Sequence, residues 1–467
     1  MADEKQENPL GTAPITGLIV KYAVPTVISM LVTSAYNLTD QIFIGNVVGI
    51  LGNAATGITF PVTILCIAFT QLAGVGTVAS FNICMGRKNE AEAKGFVGTG
   101  LTMVVIIGVL LMAAVLLFKT PLLTLFGATE SILPLSESYL GITGIGIPFL
   151  FFSGMASLLI RSDGSPAYSM MCTLSGAILN VLLDWLFMFP LAWGLPGAAF
   201  ATVISQVVSF ALAAFYFTRF KAFKIERAIF GLKTKYIPGI ARLGSSNCIN
   251  QLMLMAVAIA MNNSLRYYGV RSAYGSEIPL AVSGIIVKIS HVLGAFAVGI
   301  ALGCQPIFGF NMGAKNYGRL KETYKKALAV SLCVCVIAFL GFQFFPRQIT
   351  GIFGVGSDLY FEFASRYLRI YLMMIFAFGV QPLSVNYFTS TGRARPALVI
   401  TLSRQGFLLI PLIIILPLFF GIDGILYAGP IADVLAYMLS LFMVFRDFKQ
   451  FDKTASSIKM QMPSAAV

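Results

Sequence analysis

The sequence predicts an all-α integral membrane protein with twelve transmembrane helices. Of its 467 residues, 57% are hydrophobic and only 11% are charged, whereas a soluble domain carries about 25% charged residues. Apolar runs of about 20 residues, the length that crosses a bilayer core, recur along the chain. Helices are expected because a lipid-facing segment must satisfy its backbone hydrogen bonds internally.

Hydropathy over windows of about 19 residues divides the chain into twelve spans. The first six are expected near residues 14–44, 54–83, 96–118, 136–160, 168–191 and 196–217. The second six are expected near residues 238–265, 278–310, 327–345, 360–390, 396–420 and 422–445. Prolines interrupt several spans, and such breaks in membrane helices often mark bends that move.

The lysines and arginines are distributed unevenly between the two sides of the membrane. The N-terminus, the loops after even-numbered spans and the C-terminus carry 24 of the 32, and the opposite loops carry about six. The positive-inside rule therefore predicts that both termini and the basic segment 219–242 are cytoplasmic. Because topology explains the net charge of +13, no nucleic-acid partner is expected.

The two halves of the chain form an internal repeat at an offset of 227 residues. The matching segments are Thr56–Ile58 with Ser283–Ile285, Cys84–Lys94 with Asn311–Lys321, Leu125–Gly127 with Ile352–Gly354, and Gly194–Gly197 with Gly421–Gly424. Each half has an even number of spans, so both halves have the same orientation and a substrate path is expected between them. The predicted division is an N-terminal segment 1–13, an N-lobe 14–217, a basic linker 218–237, a C-lobe 238–445 and a C-terminal tail 446–467.

The first half carries two carboxylates inside its spans, Asp40 and Asp184, and such groups are candidates for function. Polar residues four positions apart share helix faces, and the pairs are Tyr36 with Asp40, Asn180 with Asp184, and Thr202 with Gln206. Together these groups predict a hard-oxygen site for a proton or Na⁺, since two close carboxylates tend to share one proton. The alternative is that Asp40 is hydrated at the outer end of its span and Asp184 is structural.

The second half lacks these acids, because Tyr267 and Pro411 stand at the corresponding positions. It carries other ionisable groups inside its spans, namely Lys288, His291, Arg404 and Asp433. An Arg404–Asp433 ion pair, with Lys288 as a possible third member, is the structural expectation. A proton-relay role for His291 is the alternative. We therefore expect the coupling chemistry to be concentrated in the first half.

The order of these motifs resembles the MATE (multidrug and toxic compound extrusion) family, in its bacterial DinF/MepA-like branch. The resemblance covers essentially the whole chain and is carried by Pro25, Tyr36–Gly45, Arg161–Pro166, Asn180–Asp184, Gly197–Gln206, the stretch at Arg404 and Gly429–Asp433. It implies a V-shaped monomer that exports small, often cationic compounds across the bacterial cytoplasmic (inner) membrane. Export would be driven by exchange for H⁺ or Na⁺, without a cofactor.

The resemblance also implies roles for individual residues. It assigns the cation-coupling site, with Na⁺ as the possible metal ion, to the positions Asp40, Asn180, Asp184 and Thr202, and it makes Pro25 a hinge that responds to ion loading. Another branch of the family uses carboxylates in the seventh and tenth spans. Here those spans offer amides such as Gln251 and Gln381 instead.

Soft, adaptable side chains are expected to line the substrate cavity. The chain has 19 Met and 39 Phe, and methionine changes shape cheaply around varied apolar molecules. The candidate cavity residues are Tyr139, Ser157, Gln251, Met253, Met255, Met374 and Gln381. For each methionine the alternative is ordinary packing towards lipid.

Two rival functions make different predictions. A flippase of a lipid-linked precursor would need cations facing the central cleft, for which Lys288 and Arg404 are the candidates. A channel would more often be a symmetric oligomer than a pseudo-symmetric single chain. The sequence contains no G-x-x-x-x-G-K-[ST] nucleotide-binding motif and no enzyme constellation, so a transporter rather than an enzyme is predicted.

Overall fold

A computed structural model describes residues 8–275, 277–351 and 357–461. Within these residues the chain is helical, and no strand is present. The first six spans are α1 (Ile15–Val47), α2 (Ile50–Gly86), α3 (Glu90–Leu117), α4 (Leu133–Ile145 and Ile147–Ser162), α5 (Pro166–Met188) and α6 (Gly194–Phe217). The second six are α7 (Ile237–Gly269), α8 (Glu277–Gly313), α9 (Tyr317–Phe344), α10 (Asp358–Tyr371 and Val380–Ser390), α11 (Ala394–Phe420) and α12 (Ile422–Gln461).

Shorter elements connect these spans. Helices precede α1 at Pro9–Thr12 and follow α3 and α9 at Lys119–Leu125 and Pro346–Gly351. The basic linker contains one 3₁₀ turn, Arg227–Ile229, and a second 3₁₀ turn, Ile375–Ala377, lies within the break of α10.

The fourth span of each half is broken, although the sequence predicted continuous spans 136–160 and 360–390. The two parts of α4 meet at 50° and those of α10 at 46°. In α4 the break falls at Gly146, two residues before Pro148, which has no backbone N–H and cannot continue the preceding helix. In α10 a Cβ at Gly379 would overlap the Ser331 hydroxyl on α9, so glycine permits that close approach.

The structure also differs from the predicted ends of the chain. Helix α12 continues from the predicted end at residue 445 to Gln461, so most of the predicted tail 446–467 is helical. Within the predicted N-terminal segment 1–13, only residues 8–13 are described, and their helix is held by Arg319, which donates to the Leu10 and Ala13 carbonyls. Residues 352–354, one of the repeat matches, lie outside the described residues.

The repeat is visible in the backbone as well as in the sequence. Lys88 and Lys315, which are 227 residues apart, both adopt left-handed conformations, with φ of 59° and 60°. Few residues other than glycine adopt this conformation, and here it reverses the chain after α2 and after α8. The Asn89 side chain accepts a hydrogen bond from the Glu92 backbone N–H and donates one of 3.0 Å to the Glu92 carboxylate. The two residues therefore cap the start of α3 reciprocally.

The first helix of each half packs partly on the other half. The start of α1, from Ile15 to Ala23, shares a hydrophobic cluster with α8 residues such as Ile300 and Cys304. The end of α1 packs in the N-lobe, where Ile44 is fully buried. Helix α7 does the converse, because its Gly244 lies against the Leu72 carbonyl of α2. The boundary between lobes therefore crosses α1 and α7 instead of following the linker.

Glycines let the two lobes approach at the end of the molecule that carries the α2–α3 and α8–α9 turns. A Cβ at Gly86 would overlap the Phe310 carbonyl oxygen, and one at Gly313 would overlap that of Ile83. These contacts are equivalent under the 227-residue repeat, so they form a two-fold symmetric contact between α2 and α8. A side chain at either glycine would force the backbones apart.

Candidate functional site

A buried polar cluster lies where α1, α5 and α6 pack together in the N-lobe. Asp40 on α1 is 9% exposed, and on α5 Asn180 and Asp184 are 3% and 0% exposed. The spacing of four residues places Asn180 directly before Asp184 on the face of α5 that meets α1 and α6. Asp40 is therefore buried between helices, and the alternative that it is hydrated at the outer end of its span is wrong.

The two carboxylates and two tyrosines share one electrostatic environment. Asp40 lies near enough to Asp184 for their charges to interact. The phenols of Tyr36 and Tyr139 lie within range of both carboxylates, and Tyr139 is within hydrogen-bonding reach of Thr202. Two acids in such a dry environment disfavour full ionisation, so a proton or a cation stabilises the pair.

Many polar atoms of this cluster have no hydrogen-bond partner among the described residues. They are Asp40 Oδ1, Asn180 Oδ1 and Nδ2, both carboxylate oxygens of Asp184, Ser205 Oγ and Gln206 Oε1. Such burial costs free energy unless something satisfies these groups. Carboxylate, amide and hydroxyl oxygens are hard ligands, so the donor set fits Na⁺, and its two acids equally fit protons.

The break in α4 positions Gln206. A Cβ at Gly146 would overlap Gln206 Oε1, so only glycine allows the α6 amide to lie against the break. Thr202, one turn earlier, instead donates to the Ala198 carbonyl at 3.0 Å. Thus Thr202 and Gln206 lie one turn apart on α6, and Gln206 lies against the break of α4.

Apolar side chains close the end of the cluster near the α1–α2 turn. Ile44, Met188 and Leu195 are buried there. The Phe43 and Phe189 rings pack edge to face, with their centroids 5.4 Å apart. Tyr139 packs on the same group. This packing separates the carboxylates from water at that end, which strengthens electrostatic interactions within the cluster.

Helix α1 carries features of a helix that bends. Pro25 lacks a backbone N–H, and it lies between Ala23 and Val27, which both pack on α8 of the C-lobe. Downstream, side chains donate to the carbonyl four residues earlier, at Thr26, Ser29, Thr33, Ser34, Asn37 and Thr39. Such bonds compete with the helical ladder and favour bending.

The C-lobe has a different polar centre. Tyr267 and Pro411 occupy the positions equivalent to the acids, and Tyr267 is exposed beneath the Arg271 guanidinium. Arg404 donates from Nε to Asp433 Oδ1 at 2.7 Å inside the lobe. This arginine belongs to a π-helical segment, Ser403–Leu409, that the sequence did not indicate.

Lys288 does not join the Arg404–Asp433 pair, which corrects the possibility of a three-membered group. It is exposed on α8, as is His291, and within the described residues no ion pair joins Lys288 to Asp433. Burial of Asp433 beside one guanidinium already balances its charge, so a second cation is not required.

The predicted cavity residues are spread over both lobes. Tyr139 lies in the N-lobe polar cluster, and Ser157 shares a 2.7 Å hydrogen bond with Ser169. Gln381 is buried inside the C-lobe, with its Nε2 3.5 Å from the Ile400 carbonyl. The remaining four are half-buried on α7 and at the break of α10: Gln251, Met253, Met255 and Met374.

Sequence reasoning missed two contributors to the N-lobe cluster. Ser205 on α6 is buried with an unpartnered hydroxyl three residues after Thr202, a spacing that pairs of polar residues four positions apart do not include. Gly146 contributes by the absence of a side chain. Its signal was the Gly146-Ile-Pro148 sequence, which indicates a break inside an apolar span.

These features define a multi-pass helical membrane protein with a buried acidic cluster in one of two repeated lobes. The family model MatE matches residues 25–186 and 246–415, one segment in each half. The chain therefore belongs to the MATE family of transporters, in its DinF/MepA-like branch. The predicted fold class of two six-helix lobes in a V is confirmed.

Relatives and solved structures agree with this assignment. The chain is similar to the multidrug export protein MepA of Staphylococcus aureus, with 22% identity over 93% of this chain and 94% of that one. It is also similar to a FAD transporter of Shewanella oneidensis, at 26% identity over 92% and 94%. The solved structure of the MATE multidrug transporter DinF-BH matches with a TM-score of 0.86 and 31% identity, covering 94% of this chain and 97% of that one.

Proposed function

We propose that the protein exports small amphipathic, often cationic compounds in exchange for H⁺ or Na⁺ by alternating access. The observation that carries this proposal is the buried N-lobe cluster, where two interacting carboxylates and an amide have unpartnered polar atoms. The names of the relatives, which include multidrug transporters, support the class of substrate.

The proposed coupling step is the binding of an ion between α1 and α5. Asp40, Asn180 and Asp184 would bind the ion, with Tyr36, Thr202 and Gln206 completing the site. Neutralising Asp40 and Asp184 removes their repulsion and lets α1 move closer to α5. Because the start of α1 is packed on the C-lobe, this movement bends α1 at Pro25 and changes the relation between the lobes.

The conformation supports an outward-facing state. Close backbone contacts between the lobes lie at the end that carries the α2–α3 and α8–α9 turns. The distribution of lysine and arginine supports a cytoplasmic location for that end and for both termini, in a bacterial cytoplasmic membrane. A cleft closed on the cytoplasmic side is ready to load an ion from outside.

The test is transport by the purified protein in proteoliposomes, with a fluorescent ethidium-like cation and with pH and Na⁺ gradients varied separately. Asp40→Asn and Asp184→Asn should each lower ion-driven transport by at least about a hundredfold, because each removes a charge that the ion must balance. Glu130→Gln, which removes an exposed acid between α3 and α4, is the matched control. Full ion-driven transport by Asp40→Asn would show that the assigned site is wrong.

A flippase function is the weaker alternative. It requires cations facing the cleft, but Arg404 is already paired with Asp433 inside the C-lobe. Because one relative is a FAD transporter, FAD is the anionic substrate to compare with the cation in the same vesicles. Transport of FAD but not of the cation would change the proposed substrate class and leave the ion site untouched.

A further inference from the structure

A basic pocket lies on the C-lobe at the turn between α10 and α11. It has a volume of about 530 Å³ and is formed by the start of α7, the end of α10, the residues of the turn and one face of α12. Four arginines line it: Arg242, Arg393, Arg395 and Arg446. We refer to it as the arginine pocket.

The negative charge of Asp447, an acid that lines the pocket, is already balanced by an arginine. Asp447 forms an ion pair with Arg393 and accepts a 2.6 Å hydrogen bond from the Tyr387 hydroxyl. The other three arginines are exposed, and in the part of the chain that the structure describes their guanidinium groups form no ion pair or hydrogen bond. Four arginines and one aspartate leave a net charge of +3 on a concave surface.

In the N-lobe, the position equivalent to the arginine pocket is covered by the linker. There the turn after α4 contains Asp163, which accepts hydrogen bonds from the backbone N–H groups of Lys221 and Ala222 at 2.7 and 2.8 Å. Phe220 and Phe223 of the linker pack beside it in the N-lobe core. The chain after α6 thus folds back over the α4–α5 turn and covers this position.

The α4–α5 turn and the α10–α11 turn have the same backbone shape. The N-lobe position is covered and the C-lobe pocket is open because the chain takes a different path after the last helix of each lobe. Gly164 and Gly392 are both left-handed, with φ of 84° and 82°. After α6 the chain turns back, but α12 continues as a helix to Gln461. The described chain therefore lacks, at the arginine pocket, the fold-back that covers the equivalent position in the N-lobe.

The pocket adjoins the apolar surface that faces lipid. Phe442 on α12 lines it and is 62% exposed, and Phe445 is exposed directly before Arg446. A cationic concavity next to exposed aromatic rings matches a molecule with an anionic head and an apolar tail. Guanidinium groups bind phosphate oxygens in a planar, two-pronged arrangement, and basic pockets between membrane helices bind anionic lipid headgroups.

We propose that the arginine pocket binds the headgroup of an anionic phospholipid. Its phosphate lies among Arg242, Arg395 and Arg446, and an acyl chain lies along Phe442. The lipid takes the place in the C-lobe that the linker takes in the N-lobe, and it connects the start of α7 to α12. A soluble organic phosphate shares the headgroup chemistry but cannot make the contact with Phe442.

The test is native mass spectrometry of the full-length protein in detergent, titrated with phosphatidylglycerol and, separately, with phosphatidylcholine. Phosphatidylglycerol should bind more tightly than phosphatidylcholine. Arg395→Gln/Arg446→Gln should weaken phosphatidylglycerol binding about tenfold, because each surface charge contributes to the attraction. Lys224→Gln/Lys233→Gln removes the same charge from the exposed linker and should change binding less than about twofold. Arg395→Lys/Arg446→Lys should recover only part of the affinity lost in the Gln variant, since the charge remains but the two-pronged contact of the guanidinium is lost.

Two further measurements separate a lipid site from a site for soluble anions and from a folding defect. Glycerol 1-phosphate should compete poorly with the lipid. Phe442→Ser should weaken lipid binding and leave the affinity for glycerol 1-phosphate itself unchanged. Melting curves without added lipid show whether a variant is folded. The proposal is overturned if both lipids bind equally, if folded Arg395→Gln/Arg446→Gln binds phosphatidylglycerol as the natural chain does, if the linker pair weakens binding equally, or if glycerol 1-phosphate displaces the lipid at matching concentrations.

Discussion

At the scale of single residues, the two lobes handle buried charge in opposite ways. In the N-lobe, Asp40 and Asp184 lie together without a basic partner among the described residues. In the C-lobe, Asp433 is paired with Arg404. A pair of like charges responds strongly to an added ion, whereas an opposite pair is already balanced. This difference explains why we assign coupling to one lobe only.

The Arg404–Asp433 pair leads to a prediction about stability. Arg404→Leu or Asp433→Leu leaves one uncompensated buried charge and should destabilise the protein by about 3–5 kcal/mol. The double variant should lose much less, because it leaves no charge behind. Thermal unfolding in detergent measures both effects.

The exposed ion pair Arg347–Asp358, with N–O contact at 2.7 Å, is the control for that experiment. Arg347→Leu should cost at most about 1 kcal/mol because water screens the pair. If the double Leu variant at 404 and 433 were as unstable as the worse single variant, the pair would not be the source of the effect.

At the level of helices, the two ends of α1 pack on different lobes. Its first part, which extends at least to Val27, packs on α8, and its last part packs on α5. Pro25 lies within the first part, close to its end. The hydroxyl bonds that follow Pro25 weaken the regular helical ladder over almost four turns. A helix fixed at both ends to different lobes must bend when the lobes move.

This position of Pro25 predicts that Pro25→Ala slows transport without preventing ion binding. Alanine restores a backbone donor and stiffens the helix by about 1–3 kcal/mol, so turnover should fall about tenfold in proteoliposomes. Pro61→Ala on α2 is the matched control, because Pro61 is also inside a helix and its neighbours Ile58 and Val62 pack in the N-lobe core. Equal slowing by both variants would argue against a special role for the bend in α1.

At the scale of the whole molecule, the lobes are joined by an exchange of helix ends. The start of α1 belongs to the C-lobe core, and the start of α7 lies on α2 of the N-lobe. Near these crossings, Gly86 and Gly313 bring α2 and α8 together symmetrically. In the alternating-access mechanism that we propose, this symmetric contact is the one that must break when the lobes separate at this end.

The glycine contact predicts a conformational effect of adding single methyl groups. Gly86→Ala/Gly313→Ala should separate the lobes at this end, because each Cβ would overlap a backbone carbonyl. Spin labels at Ala91 and Gly318, in a chain with Cys333→Ser, should then show a longer distance by electron paramagnetic resonance.

The control for this experiment uses glycines on the same two helices. At Gly57 and Gly284, also 227 residues apart, a Cβ would meet nothing within 4 Å. Gly57→Ala/Gly284→Ala should leave the label distance unchanged. Identical distances in both double variants would exclude the contact as a barrier to opening.

Hydropathy and residue spacing were enough to predict the twelve spans, the repeat and the residues of the acidic cluster. Hydrophobic length and four-residue spacing are local properties, so Asp40, Asn180 and Asp184 could be selected without coordinates. The sequence could not show that Tyr139 joins this cluster or that Lys288 stays apart from Asp433, since both depend on how distant helices face each other.

The boundary between the lobes and the position of the arginine pocket depend on how distant helices pack together. Glycine contacts between backbones, such as Gly146 with Gln206 and Gly86 with Phe310, depend on helices brought together from far apart in the chain. The arginine pocket depends on α12 continuing as a helix to Gln461, whereas the linker folds back after α6. Such features arise from packing between distant segments, which hydropathy and spacing do not encode.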